Sequence, residues 1–138
     1  MPKKILITGS SRGIGAAIAR LAKEKGYDVL LHGKSTSPSL SSLARELDSS
    51  YITFDVSKEK DVRQAFSEIE CIDVLINSAG INISKSFKKL TNSDWKTIYD
   101  INVFGLANVT RHVVPIMKRS KYVGKVINIA SIKGLYSS

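Results

Sequence analysis

Five short apolar runs, separated by segments with helical spacing, constrain this chain more than any other feature. They are Lys4-Ile5-Leu6-Ile7-Thr8, Asp28-Val29-Leu30-Leu31-His32, Tyr51-Ile52-Thr53-Phe54, Asp73-Val74-Leu75-Ile76-Asn77 and Lys125-Val126-Ile127-Asn128-Ile129. Runs of this length and apolarity read as buried strands. Between them, Ile14, Ala17, Ile18, Leu21 and Ala22 mark one helical face that Gly26 would terminate. Ser35 to Ser42 is rich in Ser, Thr and Pro and reads as a loop, and Leu40, Leu43, Ala44 and Leu47 suggest a short helix. Ser57 can cap a third helix, with Glu59 and Asp61 in its first turn and Val62, Ala65, Phe66 and Ile69 on its buried face. A long helical stretch covers about Ser93 to Arg119, with a break near Asn102 and a kink or early end at Pro115. In it, Trp95, Ile98 and Tyr99 read as packing. Strands separated by helices imply βαβ crossovers and a mostly parallel sheet covered on both faces. Ligands of such sheets sit at the carboxyl ends of the strands, so the residues just after each strand should carry the chemistry.

Composition narrows the function classes. The 138 residues suit one domain with its own core, and 43% hydrophobic with 24% charged residues excludes a disordered chain. No apolar run approaches a membrane span, and Ile5-Leu6-Ile7 is too short for a signal peptide, so a cytoplasmic protein without a membrane partner is expected. The single cysteine, Cys71, excludes an internal disulfide and a cysteine-rich zinc site, and reads as a small buried or semi-buried thiol. His32 and His112 have no paired carboxylates beside them, so no metal is expected and both read as partly exposed or hydrogen-bonded histidines. The net charge of +9 is spread along the chain without a run of five like charges or a nucleic-acid motif. It reads as a solvated lysine-rich surface, and no nucleic-acid partner is expected.

The strand-end segments are specific. After the first run comes Thr8-Gly9-Ser10-Ser11-Arg12-Gly13-Ile14-Gly15. A strand, a glycine-rich turn and a helix start make an anion site: Gly9 permits the turn, Gly13 lets backbone approach a pyrophosphate, and Gly15 lets helix and strand pack closely. The spacing is G-x-x-x-G-x-G rather than G-x-G-x-x-G. After the second run, Gly33 occupies the position where an acid would bind the ribose 2′-hydroxyl of NAD, and Lys34 follows. Arg12 and Lys34 together favour the 2′-phosphate of NADP. The later ends are Asp55-Val56, the small-residue turn Asn77-Ser78-Ala79-Gly80, and Ile129-Ala130-Ser131.

These pieces, with Asp100-Ile101-Asn102-Val103-x-Gly105, occur in an order and spacing that resembles the short-chain dehydrogenase/reductase family. The flavour of Ser11-Arg12-Gly13-Ile14-Gly15 is similar to the NADP-dependent beta-ketoacyl-acyl-carrier-protein reductases of that family. The resemblance implies a Rossmann-type doubly wound parallel sheet in a three-layer α/β/α architecture. It implies an NADPH-dependent oxidoreductase that reduces a carbonyl, with 3-oxoacyl thioesters on an acidic acyl carrier protein among the substrates. The cluster Lys118-Arg119-Lys121-Lys125 would suit such a carrier. It implies a homo-oligomer, tetramer or dimer. The resemblance gives the cofactor Thr8, Gly9, Ser11, Arg12, Gly13, Ile14, Gly15 and Lys34, with Asp55 and Val56 at the adenine and Asn77, Ala79 and Gly80 at the adenosine ribose. It makes Ser131 the group that polarises the substrate carbonyl and Asn102 a support for a proton relay through water. Asn102 also reads as a helix-break residue tying backbone groups together, and the two roles are compatible.

Ser78 replaces the usual second Asn of the family turn. The family's Tyr-x-x-x-Lys pair would fall near positions 144 to 148, and Tyr136 and Lys133 stand too close to Ser131 to replace it. The chain therefore reads as residues 1–138 of an incomplete NADP-binding domain, truncated after the fifth strand and inactive by itself. A nucleotide-binding fragment or interaction module is the alternative.

Overall fold

The computed structural model describes residues 1–132 and Leu135. Strands β1 (Lys4–Ile7), β2 (Asp28–Gly33), β3 (Ser50–Thr53), β4 (Val74–Asn77) and β5 (Lys125–Asn128) form one sheet in the order β3-β2-β1-β4-β5. All four pairings are parallel, with Ile7 opposite both Leu31 and Ile76. Helices α1 (Gly13–Glu24), α2 (Pro38–Leu47), α3 (Glu59–Phe66), α4 (Asn92–Tyr99) and α5 (Leu106–Met117) lie between the strands.

The pleat of β1 shows how the layers form. Ile5 and Ile7 point into a core shared with Ala16, Ala19, Leu40 and Leu43 of α1 and α2. Leu6, between them, points into a second core shared with Val62 and Phe66 of α3 and Val109 and Val113 of α5. Successive side chains of a strand face opposite ways, so a continuous apolar run is what a sheet buried on both faces requires.

Several expectations change in three dimensions. On α1 the buried residues are Gly15, Ala16, Ala19 and Ala22, whereas Ile14 and Leu21 are 63% and 53% exposed. The helix approaches the sheet too closely for large side chains: a Cβ on Gly15 would stand 2.3 Å from the Gly9 carbonyl oxygen. Small residues therefore turn inward and the bulky ones outward. The Ser-rich stretch is partly helical, because Ser37 caps α2 by accepting the Leu40 N–H and Pro38 occupies the first turn. Ser57 does not cap α3, whose N-cap is Lys58; its hydroxyl and N–H donate to Asp55 Oδ1 instead.

The break expected near Asn102 is a π-helical segment, Asp100–Gly105, joining α4 to α5, and Pro115 lies in the last turn of α5. Trp95 and Tyr99 are 40% and 51% exposed, with their rings 6.4 Å apart. No residue of α4 is buried, so their spacing reflects a helix at the surface rather than core packing. Cys71, expected to be buried or semi-buried, is exposed in the segment before β4. Among the described residues, no helix is long and apolar enough to cross a membrane.

Candidate functional site

In a parallel sheet every strand ends on the same rim, and this rim carries the site. Gly9 follows β1, Lys34 follows β2, Asp55 and Val56 follow β3, Ser78 to Gly80 follow β4, and Ser131 follows β5. A cleft of about 220 Å³ opens there, lined by Gly9, Arg12, Lys34, Asp55, Val56 and the turn Ser78-Ala79-Gly80, with Ile81 and Ile101 closing one side. Arg12 and Lys34 also line an adjoining pocket of about 280 Å³, with Ser11, Ser35, Ser37 and Ser39.

The glycine loop is built by close approach. Gly9 has φ +61°, and a Cβ there would lie 2.7 Å from the Ala79 Cα. Only glycine satisfies both the left-handed backbone and that contact. Gly13, at φ +60°, opens into free space. Gly13, Ile14 and Gly15 begin α1, where the first N–H groups of a helix have no intrahelical acceptor and can bind an anion. Thr8 is 1% exposed, and its hydroxyl oxygen accepts the N–H groups of Ser78 and Ala79, each at 3.1 Å. It braces the ends of β1 and β4 from inside.

Beyond β3, the Asp55 carboxylate accepts from Ser57 and lies 3.8 Å from Lys34 Nζ. Burial pushes its pKa up, but the Ser57 hydrogen bonds and the charges of Lys34 and Lys58 outweigh that and hold it below the ordinary aspartate value. Gly33 is buried, and a Cβ there would meet Leu40 Cδ2 at 3.0 Å and the Ser35 carbonyl oxygen at 3.2 Å. A carboxylate at this position would crowd α2, while the two cations nearby remain exposed.

The segment after β4 is engaged differently. Asn102 Oδ1 accepts the Ile81 N–H at 2.8 Å and its Nδ2 donates to the Ile81 carbonyl at 2.9 Å. Both side-chain functions clamp the segment after β4, as the backbone-tying reading of Asn102 anticipates. Asn77 does not line the cleft: it is 5% exposed, and its Nδ2 donates to Thr110 Oγ1 and Asn128 Oδ1. Among the described residues its Oδ1 has no partner. Ser131 is exposed, three residues past β5, while Lys133 and Tyr136 lie outside the described residues. The cluster Lys118-Arg119-Lys121-Lys125 lies between the end of α5 and the start of β5. That is the amino rim, opposite the cleft.

Sequence reasoning missed three contributors, Ser10, Ser57 and the full engagement of His32. His32 is 2% exposed, and its ring bonds to Gly9 and Phe54. Burial, only partly offset by the Phe54 carbonyl and the Asp55 charge, pushes its pKa down to about 4. No local pattern announces the His32 contacts, because its ring partners are 22 and 23 positions away.

The family model for short chain dehydrogenases matches residues 3–138. The acetoacetyl-CoA reductase of Paracoccus denitrificans is 36% identical over 138 residues, 97% of this chain and 57% of that protein. A 3-oxoacyl-acyl-carrier-protein reductase of Staphylococcus epidermidis is 32% identical over 97% of this chain and 58% of its own length. The crystal structure of a gluconate 5-dehydrogenase from Burkholderia cenocepacia, in complex with NADP and tartrate, superposes with a TM-score of 0.88 at 30% identity. It covers 99% of this chain and 56% of that one. The chain thus spans little more than half the length of these relatives.

Proposed function

This chain belongs to the short chain dehydrogenase family, whose members use NAD(P), and we propose that it is the dinucleotide-binding part of an NADPH-dependent carbonyl reductase. The observation that carries the choice of NADPH is the pocket beside the cleft. Arg12 and Lys34 line it, and crowded Gly33 stands where an acid would serve NAD. The residues present fit a dinucleotide, since the helix start and the open space at Gly13 leave room for a pyrophosphate.

A bound nicotinamide dinucleotide would supply the hydride. The chain's own groups orient it. The N–H groups of Gly13, Ile14 and Gly15, with Thr8, Gly9 and Ser11 shaping the loop, hold the pyrophosphate. Arg12 and Lys34 take the 2′-phosphate, Asp55 and Val56 the adenine, and Ala79 and Gly80 the ribose. Asn77 acts behind that turn through Thr110 and Asn128. The Ser131 hydroxyl donates to the substrate carbonyl oxygen and draws charge onto it. Asn102 supports the proton path by clamping Ile81.

The substrate we favour is a 3-oxoacyl thioester, carried on coenzyme A or on an acyl carrier protein; the names of the Paracoccus and Staphylococcus relatives support that class. Exposed Trp95, Tyr99, Val103 and Phe104 support a homo-oligomer. The 138 residues contain no Tyr-x-x-x-Lys, so a polypeptide of these residues alone should bind dinucleotide without turnover.

Titration with NADPH and NADH tests the reading. Arg12→Ala or Lys34→Ala should weaken NADPH about tenfold and leave NADH within about twofold. Equal losses for both nucleotides would remove the preference for NADPH.

A further inference from the structure

His32 joins two parts of the cleft that no other described side chain spans. It stands at the penultimate position of β2, the strand between β1 and β3. Its main chain is already paired to the glycine loop: the Ser10 N–H donates to the His32 carbonyl at 2.9 Å, and the His32 N–H donates to Ser10 Oγ at 2.8 Å. The ring adds two further bonds. Nδ1 accepts the Gly9 N–H at 3.0 Å, and Nε2 lies 2.9 Å from the Phe54 carbonyl oxygen. A carbonyl can only accept, so the proton sits on Nε2, and Nδ1 is left with the lone pair that Gly9 requires. Phe54 also packs against the ring, with centroids 4.1 Å apart and the planes tilted by 41°. It is followed directly by Asp55 and Val56.

We propose that His32, as the neutral Nε2–H tautomer, is a positioning residue for dinucleotide binding: it ties the glycine loop to the Phe54–Val56 segment and so sets the span between the pyrophosphate and adenine subsites. This rests on the dinucleotide reading above. His32 acts through Gly9 and the Phe54 backbone, not on the reacting atoms. With the tie cut, the Gly9 backbone at φ +61° loses a bond that holds it before the ligand arrives, and the ordering left to the ligand lowers affinity. A residue that only filled the core would lower stability and leave the affinity of the folded protein unchanged.

Three substitutions in the full chain separate these roles. His32→Asn keeps a short acceptor near the Nδ1 position and loses the reach to Phe54. His32→Gln does the reverse, and His32→Leu keeps bulk without either bond. NADPH affinity is measured by fluorescence titration below each variant's unfolding midpoint, and the wild-type ring is followed by 15N NMR. We expect the Nε2–H pattern in the wild type. We expect NADPH binding weakened by about tenfold or more in His32→Leu, and by at least about threefold in both His32→Asn and His32→Gln, because each keeps only one end of the tie. Wild-type affinity in a folded His32→Leu, His32→Asn or His32→Gln variant overturns the proposal, as does an Nδ1–H ring in the wild type. Failure of the wild type to bind NADPH overturns the dinucleotide reading and this proposal together, so the two failures are told apart.

Discussion

The two sides of the sheet rim are built on different principles. On the β1–β2–β3 side, Thr8, Ser10 and His32 are all but sealed from solvent, at 1%, 0% and 2% exposure, and their polar atoms bond across to neighbouring loops and strands. On the β4–β5 side, all four residues of β5 are exposed, as is Ser131. The first side is organised by its own interior before any ligand arrives. The second presents a strand edge whose apolar side chains Val126 and Ile127 are 39% and 46% exposed. Buried polar groups that are fully paired specify one geometry, whereas an exposed edge specifies little without a cover.

The sharpest way to break this contrast is Gly9→Val. A β-branched side chain would meet the Ala79 backbone and an unfavourable φ at once. Overpacking and strain of this kind cost about 3 kcal/mol or more. Denaturant unfolding should show that loss together with loss of NADPH binding. A folded Gly9→Val protein of near-normal stability would mean that the inner side is not pre-organised.

The next effect is pH-dependent and isolates His32. The unfolded imidazole takes up its proton near pH 6.5, the folded one only near 4. Between those values the unfolded chain binds more protons, so stability falls as pH falls; the contribution is full above about 6.5 and gone below about 4. Asp55 opposes the shift, and Arg12 and Lys34 are the cations lining the same cleft. The wild type should lose about 2 kcal/mol more than His32→Leu between pH 7 and pH 5 in denaturant titrations. Parallel pH profiles would remove the buried neutral histidine from the comparison.

The smallest effect belongs to the other side. Ile127→Thr on the exposed face of β5 should change stability by less than about 0.5 kcal/mol. A loss of several kcal/mol in the same assay would show that β5 is covered in the working protein, and would redraw the contrast.

Much of this was legible in the residues. The strands were found within about one residue at each end, because a run such as Ile5-Leu6-Ile7 feeds two cores at once. The cleft residues were found because a parallel sheet brings all its strand ends to one rim. Other features escaped local reading. The inward face of α1 depends on how closely the helix meets Gly9, and the direction of Asn77 depends on Thr110 and Asn128, 33 and 51 positions away. The rim on which the basic cluster sits depends on where α5 ends and β5 begins.

The sequence by itself determined the alternating architecture, the glycine turn and the cations beside it. Periodicity and backbone stereochemistry are properties of neighbouring residues, and they survive being read in one dimension. Only the tertiary structure decided that His32 is neutral, which of its nitrogens carries the proton, and that Asn102 grips Ile81 with both ends of its amide. Those states are set by desolvation and by partners about 20 residues distant, and neither exists until the chain has folded.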